Sequence, residues 1–392
     1  MGRLLIVSQV YPPESAAVGQ YLADLAEHLV RHGRPVTVVT SASGYTDPSE
    51  RYPSRETLRG VDVLRLPAGS FGKGSMAARL GGAGAFLAQA IVRSLGVGDV
   101  DRVLVSTSPP MAAVAGLAIA ELLRVRFTYW VMDVNPDQAV EMGHFSERHP
   151  AVRAFDSFNA LVLGRADVVV TLDSYMAERL RSKRSRRIEV IRPWPLGGVA
   201  EPIRHEDNPF RERHRWRDKT VVMFSGNMSA TSPIDTMVDA AMRLRHRDDV
   251  VFAFIGGGDG RRVLDAAPGM PNMTVLPYQP LDELRYSLSA ADLQVATMGN
   301  AMVGITHPCK VYTAMAVGRP ILAVASASSH IGELAGKGGG WQVEQGDGAG
   351  FAAAVEELAA TPRNRWEEMG LRNRRLMASG AGLRERMARL VS

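Results

Sequence analysis

Cysteine is almost missing from this chain: Cys309 stands alone among 392 residues. One thiol excludes an intrachain disulfide framework and any metal centre built on several thiolates. No window holds the roughly eighteen uninterrupted apolar residues that a membrane-spanning helix needs. The opening MGRLLIVSQV has one basic residue and runs directly into Pro12-Pro13, without the apolar region and cleavage site of a secretory signal, so a cytoplasmic location is expected. A GxGxxG dinucleotide fingerprint and the GK[ST] ending of a P-loop are both absent, which counts against NAD binding and ATPase chemistry. No helix-turn-helix, zinc-finger or RNP-type pattern occurs, so nucleic acid is not an expected partner.

What is present is a globular composition, 46% hydrophobic and 22% charged, at a length that favours two domains. Strand-like runs at 4–8, 36–40, 61–66, 102–106, 127–132, 167–171 and 188–192 alternate with helical stretches at 19–32, 76–96, 110–123, 150–164 and 174–182. Near-continuous β-branched strands between helices predict an α/β fold with a doubly wound parallel sheet, covered on both faces. The pattern restarts with strands at 220–225, 250–256, 273–278, 293–296 and 321–325 and helices near 233–247, 259–266, 281–289 and 310–318. Helical segments at 349–360, 362–378 and 381–391 close the chain. The stretch RPWPLGG (192–198) reads as the linker, giving a first Rossmann-like domain over 1–195 and a second from 196. Two such sheets usually face a cleft, and ligands bind at the carboxyl ends of the strands.

Unusual chemistry falls at those strand ends. HPCKVYTAMAVGRP (307–320) places His307 and Lys310 at the start of a helix, where free backbone N–H groups and the dipole suit a phosphate. An ordinary strand–turn–helix connection reads the segment equally well. After the first strand, Glu14 lies in the loop and Gly19 opens a helix, either to let backbone approach a ligand or simply as a cap. After the fifth strand, DVNPD carries Asp133 directly at the strand end, with Asn135 and with Asp137 as a candidate helix cap. The spacing lacks the downstream glutamate of a calcium loop, and no metal is expected. In the second half, FSGNMSATSP presents Gly226, Asn227 and Ser232 before Pro233. Their backbone amides and hydroxyls suit a diphosphate or a well-capped connection. IGGGDGRR (255–262) reads as a flexible turn, and Tyr278 ends the next strand, where it meets a nucleobase or packs.

The net charge of +5 is unevenly spread, with arginine-rich runs at 179–192 and 204–219 that read as a solvated surface or as contacts for an anionic membrane. The segment 76–96, flanked by Lys73, Arg79 and Arg93, reads as a peripheral, interfacial helix or as a buried helix of the first sheet.

Six motifs in register, YPP-x5-G, FSGN-x6-ID, IGGGDGR, LPYQPLDEL, AADLQVA and PCKVYTAMAVGRPIL, resemble those of the family-4 glycosyltransferases of GT-B fold. Within that family the chain is most similar to bacterial transferases of O-antigen, colanic acid and exopolysaccharide synthesis. The resemblance implies GT-B architecture, with a donor domain over 196–378 and a final helix, 379–392, returning to the first domain. It implies a nucleotide-sugar donor, UDP- or GDP-linked, as substrate. It also implies a lipid-linked or saccharide acceptor, retention of configuration, and no metal or other cofactor. Gly19 matches the glycine that approaches the donor diphosphate, Asp133 the loop at the transferred sugar, Gly226 the diphosphate loop, and Tyr278 the base-binding region. Ile305 and Thr313 fall where many members carry the E-x7-E carboxylates, while Asn227 and Ser232 fall where many carry Arg and Lys. Lys310 is then the candidate for the missing charge, with His307 near the sugar or phosphate and Glu14 toward the acceptor hydroxyl. A nucleotide-sugar 2-epimerase of the same fold and a non-catalytic partner of another transferase are the alternative functions.

Overall fold

The computed structural model describes residues 2–14, 16–44, 47, 49–67, 76–183, 187–196, 202–267, 269–280, 282–378 and 382–392, with the side chains of 76–80 left aside. Lys73, the side chain of Arg79 and the end of the expected linker, 197–198, lie outside the described residues. The chain separates into two compact units, Met1–Pro193 with Gly382–Ser392, and Trp194–Ala381.

The first unit is built on β1 (Arg3–Val7), β2 (Val36–Ser41), β3 (Arg55–Leu58), β4 (Val61–Leu66), β5 (Val100–Ser106), β6 (Arg126–Trp130), β7 (Val168–Thr171) and β8 (Ile188–Val190). They form an eight-stranded sheet in the order β3-β4-β2-β1-β5-β6-β7-β8. All neighbours run parallel except β3 and β4. Leu4 to Val7 and Val103 to Val105 are wholly buried, as strands covered on both faces must be. Each such side chain contributes roughly 1.5–3 kcal/mol relative to exposure. Against this core the helix Met76–Ser94 buries Phe86 and Ala90 while Val92 stays exposed, so it is a packed layer of the first sheet. Helix Ala112–Leu123 comes so close that a Cβ on Gly116 would stand 2.3 Å from Val105 Cγ2. The final helix, Gly382–Val391, buries Met387 and Val391 in this same unit.

The second unit carries β9 (Thr220–Asn227), β10 (Val250–Gly257), β11 (Met273–Leu276), β12 (Leu293–Thr297), β13 (Ile321–Val324) and β14 (Gly340–Val343). These form a parallel sheet in the order β11-β10-β9-β12-β13-β14. In both sheets the chain direction across the sheet reverses beside a central strand, β1 in one and β9 in the other, which leaves a crevice at the carboxyl ends. One core face of the second sheet packs Phe224, Phe252 and Phe254 against Phe351 and Val355 of helix Gly348–Ala360.

The arginine-rich run 204–219 is not uniformly a solvated surface. Arg204, Arg213 and Arg217 are exposed, but Arg211 is an internal strut. Its guanidinium donates to the carbonyls of Ala290 (2.7 Å), Trp216 (2.7 Å) and Lys219 (2.6 Å), and pairs with the buried Asp292 at 2.9 Å. Burial, with Arg319 and Arg211 nearby, keeps His205 beside it neutral, its pKa held far below the usual histidine range. In the other run, Arg179 and Lys183 both pair with Asp137, and Lys183 also reaches Asp156 at 2.7 Å. Asp137 is therefore an ion-pair hub in the first turn of its helix, whose cap position is taken by Pro136.

Candidate functional site

In the second unit the switch point is walled by two strand exits that touch backbone to backbone. Gly226 and Gly256 lie in register at the ends of β9 and β10, with φ of 142° and 132°. A Cβ on Gly256 would stand 2.1 Å from the Gly226 carbonyl oxygen, and one on Gly258 2.3 Å from that of Met228. The run that reads as a flexible turn is thus a fixed, close-packed corner: Met228 N–H donates to the Gly257 carbonyl at 2.7 Å, and Gly260 N–H to Met228 at 3.0 Å. Gly256→Ala is expected to lower stability by about 3 kcal/mol or more, because both the positive φ and the missing space oppose a side chain. Urea or thermal unfolding measures this, and a loss below about 1 kcal/mol would mean the corner relaxes freely.

Onto this corner the structure brings four of the residues singled out by sequence. Lys310, the first residue of helix Lys310–Ala316, extends over the Phe224 ring, its Nζ 3.9 Å from the centroid. The same Nζ lies 3.4 Å from the carbonyl oxygen of Asn227, and a Cβ on Gly226 would meet it at 3.3 Å. Desolvation pushes the Lys310 pKa from 10.5 down to about 7. The ring face of Phe224 favours the charged form and offsets part of that cost. Tyr278, 58% exposed, donates its hydroxyl to Asn227 Oδ1 at 3.4 Å and lays its ring along Gly256 and Gly257. Ser232 closes the same loop, bridging back to Ser229, whose hydroxyl lies 2.9 Å from that of Thr231. A strand-exit amine, hydroxyls and tight backbone together make a wall suited to a diphosphate, with an exposed aromatic beside it.

His307 is turned away from that wall. Its Nε2 is 2.7 Å from the hydroxyl of buried Tyr312, which is in turn 2.7 Å from Nε2 of His330. One hydroxyl proton serves two ring nitrogens, so at least one of the two rings must carry a proton on Nε2. This network ties the Lys310 helix to the helix His330–Lys337, and Tyr312 and His330 carried no sequence signal for it. Thr313 is partly buried on the same helix and Ile305 is wholly buried, and neither side chain is a carboxylate.

In the first unit the chosen residues lie at the carboxyl ends of β1 and β6. Glu14 is buried: its carbonyl accepts from Gln20 Nε2 at 2.8 Å, and Oε1 accepts from the Tyr52 hydroxyl at 3.5 Å. Gly19 has a steric reason within the chain, since a Cβ there would stand 3.2 Å from the backbone of Val10 and Tyr11. Asp133, two residues beyond buried Val131, is held by its N–H donating to Thr107 Oγ1 at 3.3 Å. Desolvation raises its carboxyl pKa from 3.8 to about 6. A carboxyl poised near neutrality at a strand end is the kind of group that functional sites favour. Thr107, its support from the residue just past β5, went unsuspected in the sequence. Among the described residues no cluster of three or more His, Cys, Asp or Glu is arranged to hold a metal, and no helix is long and apolar enough to cross a membrane.

Two parallel-sheet α/β units, each with its crevice at a central strand, form the GT-B architecture. The family described as "Glycosyl transferase 4-like domain" matches residues 16–194, and "Glycosyl transferases group 1" matches 219–361. The chain belongs to this family of glycosyltransferases. It is 26% identical over 266 residues to the probable glycosyltransferase WbjE of Pseudomonas aeruginosa, a match spanning 66% of each chain. It is 23% identical over 349 residues, 85% of each chain, to WcaI of Escherichia coli (strain K12), a putative colanic acid biosynthesis glycosyl transferase. The fold is similar to that of Anabaena Alr3699/HepE in complex with UDP and glucose. There the TM-score is 0.73 at 14% identity, covering 100% of this chain and 99% of that one.

Proposed function

We infer that this glycosyltransferase acts in surface polysaccharide synthesis, moving a sugar from a UDP- or GDP-linked donor to a lipid-linked or saccharide acceptor. The observation that carries the reading is the Lys310 ammonium beside the Gly226–Asn227 strand exit, where charge on a departing diphosphate would be met. The bond from the anomeric carbon to the diphosphate oxygen breaks, the electron pair leaves with the nucleotide, and the acceptor oxygen takes its place after losing its proton. Lys310 and the Gly226–Ser232 loop are assigned the diphosphate, and Tyr278 the base. In the first unit Asp133 is assigned the transferred sugar and Glu14 the acceptor hydroxyl. Transfer is proposed to retain configuration and to need no metal. A solved relative of the same fold in complex with UDP and glucose supports the donor class.

The test is a panel of UDP, GDP and their sugars in thermal unfolding, followed by incubation of the stabilising donor with and without saccharide acceptors. One nucleotide is expected to raise the midpoint, because it binds only the native state. Product is expected only when acceptor is present, with the donor's anomeric configuration by NMR and no loss of rate in EDTA. Conversion of donor alone to an epimer, or no response to any nucleotide, would sink the reading.

A further inference from the structure

Four arginines converge at the amino ends of β5 to β8, the edge of the first sheet away from the strand ends described above. Arg102 and Arg126 are direct partners in the β5–β6 register, Arg187 immediately precedes β8, and Arg389 comes from the final helix. With Asp167 they line a depression of about 420 Å³, within the size range of small-molecule sites. Like charges directly opposite on neighbouring strands repel, so the pairing of Arg102 with Arg126 costs stability unless an anion lies between them.

The interior partners do not neutralise the group. Arg102 is 6% exposed, donates one N–H to Thr128 Oγ1 at 3.2 Å, and has its buried Nε without a partner. The guanidinium groups of Arg126 and Arg389 make no ion pair or hydrogen bond among the described residues. Arg187 stands 3.7 Å from Glu189, a carboxylate that Arg386 holds more closely at 2.6 Å. Asp167 accepts from the Phe127 N–H at 2.7 Å and forms no ion pair with these arginines. Helix dipoles explain one member only, because Arg389 alone of the four sits in the last turn of a helix.

We propose that this pocket is a binding site for a doubly charged phosphate group, held by Arg102, Arg126, Arg187 and Arg389. Guanidinium forks match phosphate oxygens bidentately, and the four arginines that line the depression supply such forks. The shared chemistry is a phosphate monoester or diphosphate, reached either free in solution or as the headgroup of an anionic lipid.

The test uses the full chain carrying Lys310→Ala, so that phosphate binding in the second unit does not mask the result. Titration calorimetry with sodium pyrophosphate is expected to show one site that weakens as salt is raised. Arg126→Ala with Arg389→Ala, both exposed and unpartnered, should lose about tenfold or more in affinity, and the double lysine variant should recover part of it. Vesicles of phosphatidic acid in phosphatidylcholine, against phosphatidylcholine alone, distinguish the sources. Sedimentation that depends on the two arginines makes the ligand a lipid headgroup, while pyrophosphate binding without sedimentation makes it a free phosphate. Absence of both, or binding that the double alanine variant leaves unchanged, overturns the site.

Discussion

Donor affinity is expected to fall about tenfold for each pH unit above neutrality, because Lys310 must be charged to meet a diphosphate. The sign follows from the depressed pKa. With the folded amine at about 7 rather than 10.5, it is mostly neutral at pH 8, and the bound anion draws a proton onto it. Proton uptake approaching one per donor at pH 8 is the direct signature, read by calorimetry in buffers of different ionisation enthalpy. Lys310→Met should weaken donor binding at pH 6.5 by about a hundredfold, the scale of a charge-assisted contact of about 2–3 kcal/mol, and flatten the pH profile. The same substitution acts oppositely on the empty protein. A depressed lysine pKa contributes stability that is present above the ordinary lysine range and is lost as pH falls through about 7, so the methionine variant should unfold at higher temperature than the wild type at pH 6. A donor affinity indifferent to both pH and this substitution would remove Lys310 from the site.

The second large effect is expected at Asp133. Its carboxyl titrates near 6 because desolvation disfavours the ion, so stability is fully present below pH 4 and is lost as pH rises through about 6. Asp133→Asn keeps the shape and removes the ionisation. At pH 8 the variant should gain roughly 1–2 kcal/mol of unfolding free energy, a figure reduced for the group's partial exposure. It should also lose about a hundredfold or more in turnover, as a misoriented sugar would. Gain of stability with loss of rate marks a residue held for function at a cost to the fold. Wild-type turnover in the D133N protein would refute the assignment, whatever its melting temperature.

Much of this was legible in the chain because parallel strands advertise themselves. Runs such as VTVVT and RVLVS are β-branched without alternation, and each expected strand of the first half is present. The elements that escaped notice are those whose composition hides them. β3, RETL, is a short edge strand with alternating exposure, and β14, GWQV, opens on glycine. Helix His330–Lys337 lies within SASSHIGELAGKGGG (326–340), where serine and glycine density reads as loop. Its start becomes visible only through Ser329, whose hydroxyl accepts from Gly332 N–H at 3.2 Å.

The candidate site divides the same way. Gly226, Asn227, Tyr278 and Lys310 could be chosen because strand ends are readable and ligands bind there. That Lys310 bends back over Phe224 is a tertiary fact no local spacing encodes. His307 was chosen for its place beside Lys310, but its partner His330 is contributed by another helix. Arg102 opens the expected strand 102–106 and Arg126 lies just before the expected strand 127–132, and only the sheet register sets them opposite one another.

The discontinuity of the first unit also bears on how the chain is made. Residues up to Pro193 lack Met387 and Val391 until Gly382–Val391 has been synthesised, while Trp194–Ala381 is one continuous stretch. Domains generally fold as units during synthesis, so the unit that begins first is completed last. In the interval its incomplete surface includes Arg34, which in the finished protein donates to the Ser392 carbonyl at 3.2 Å. A ribosome paused within the second unit therefore carries one domain able to close its core and another still waiting for its final helix.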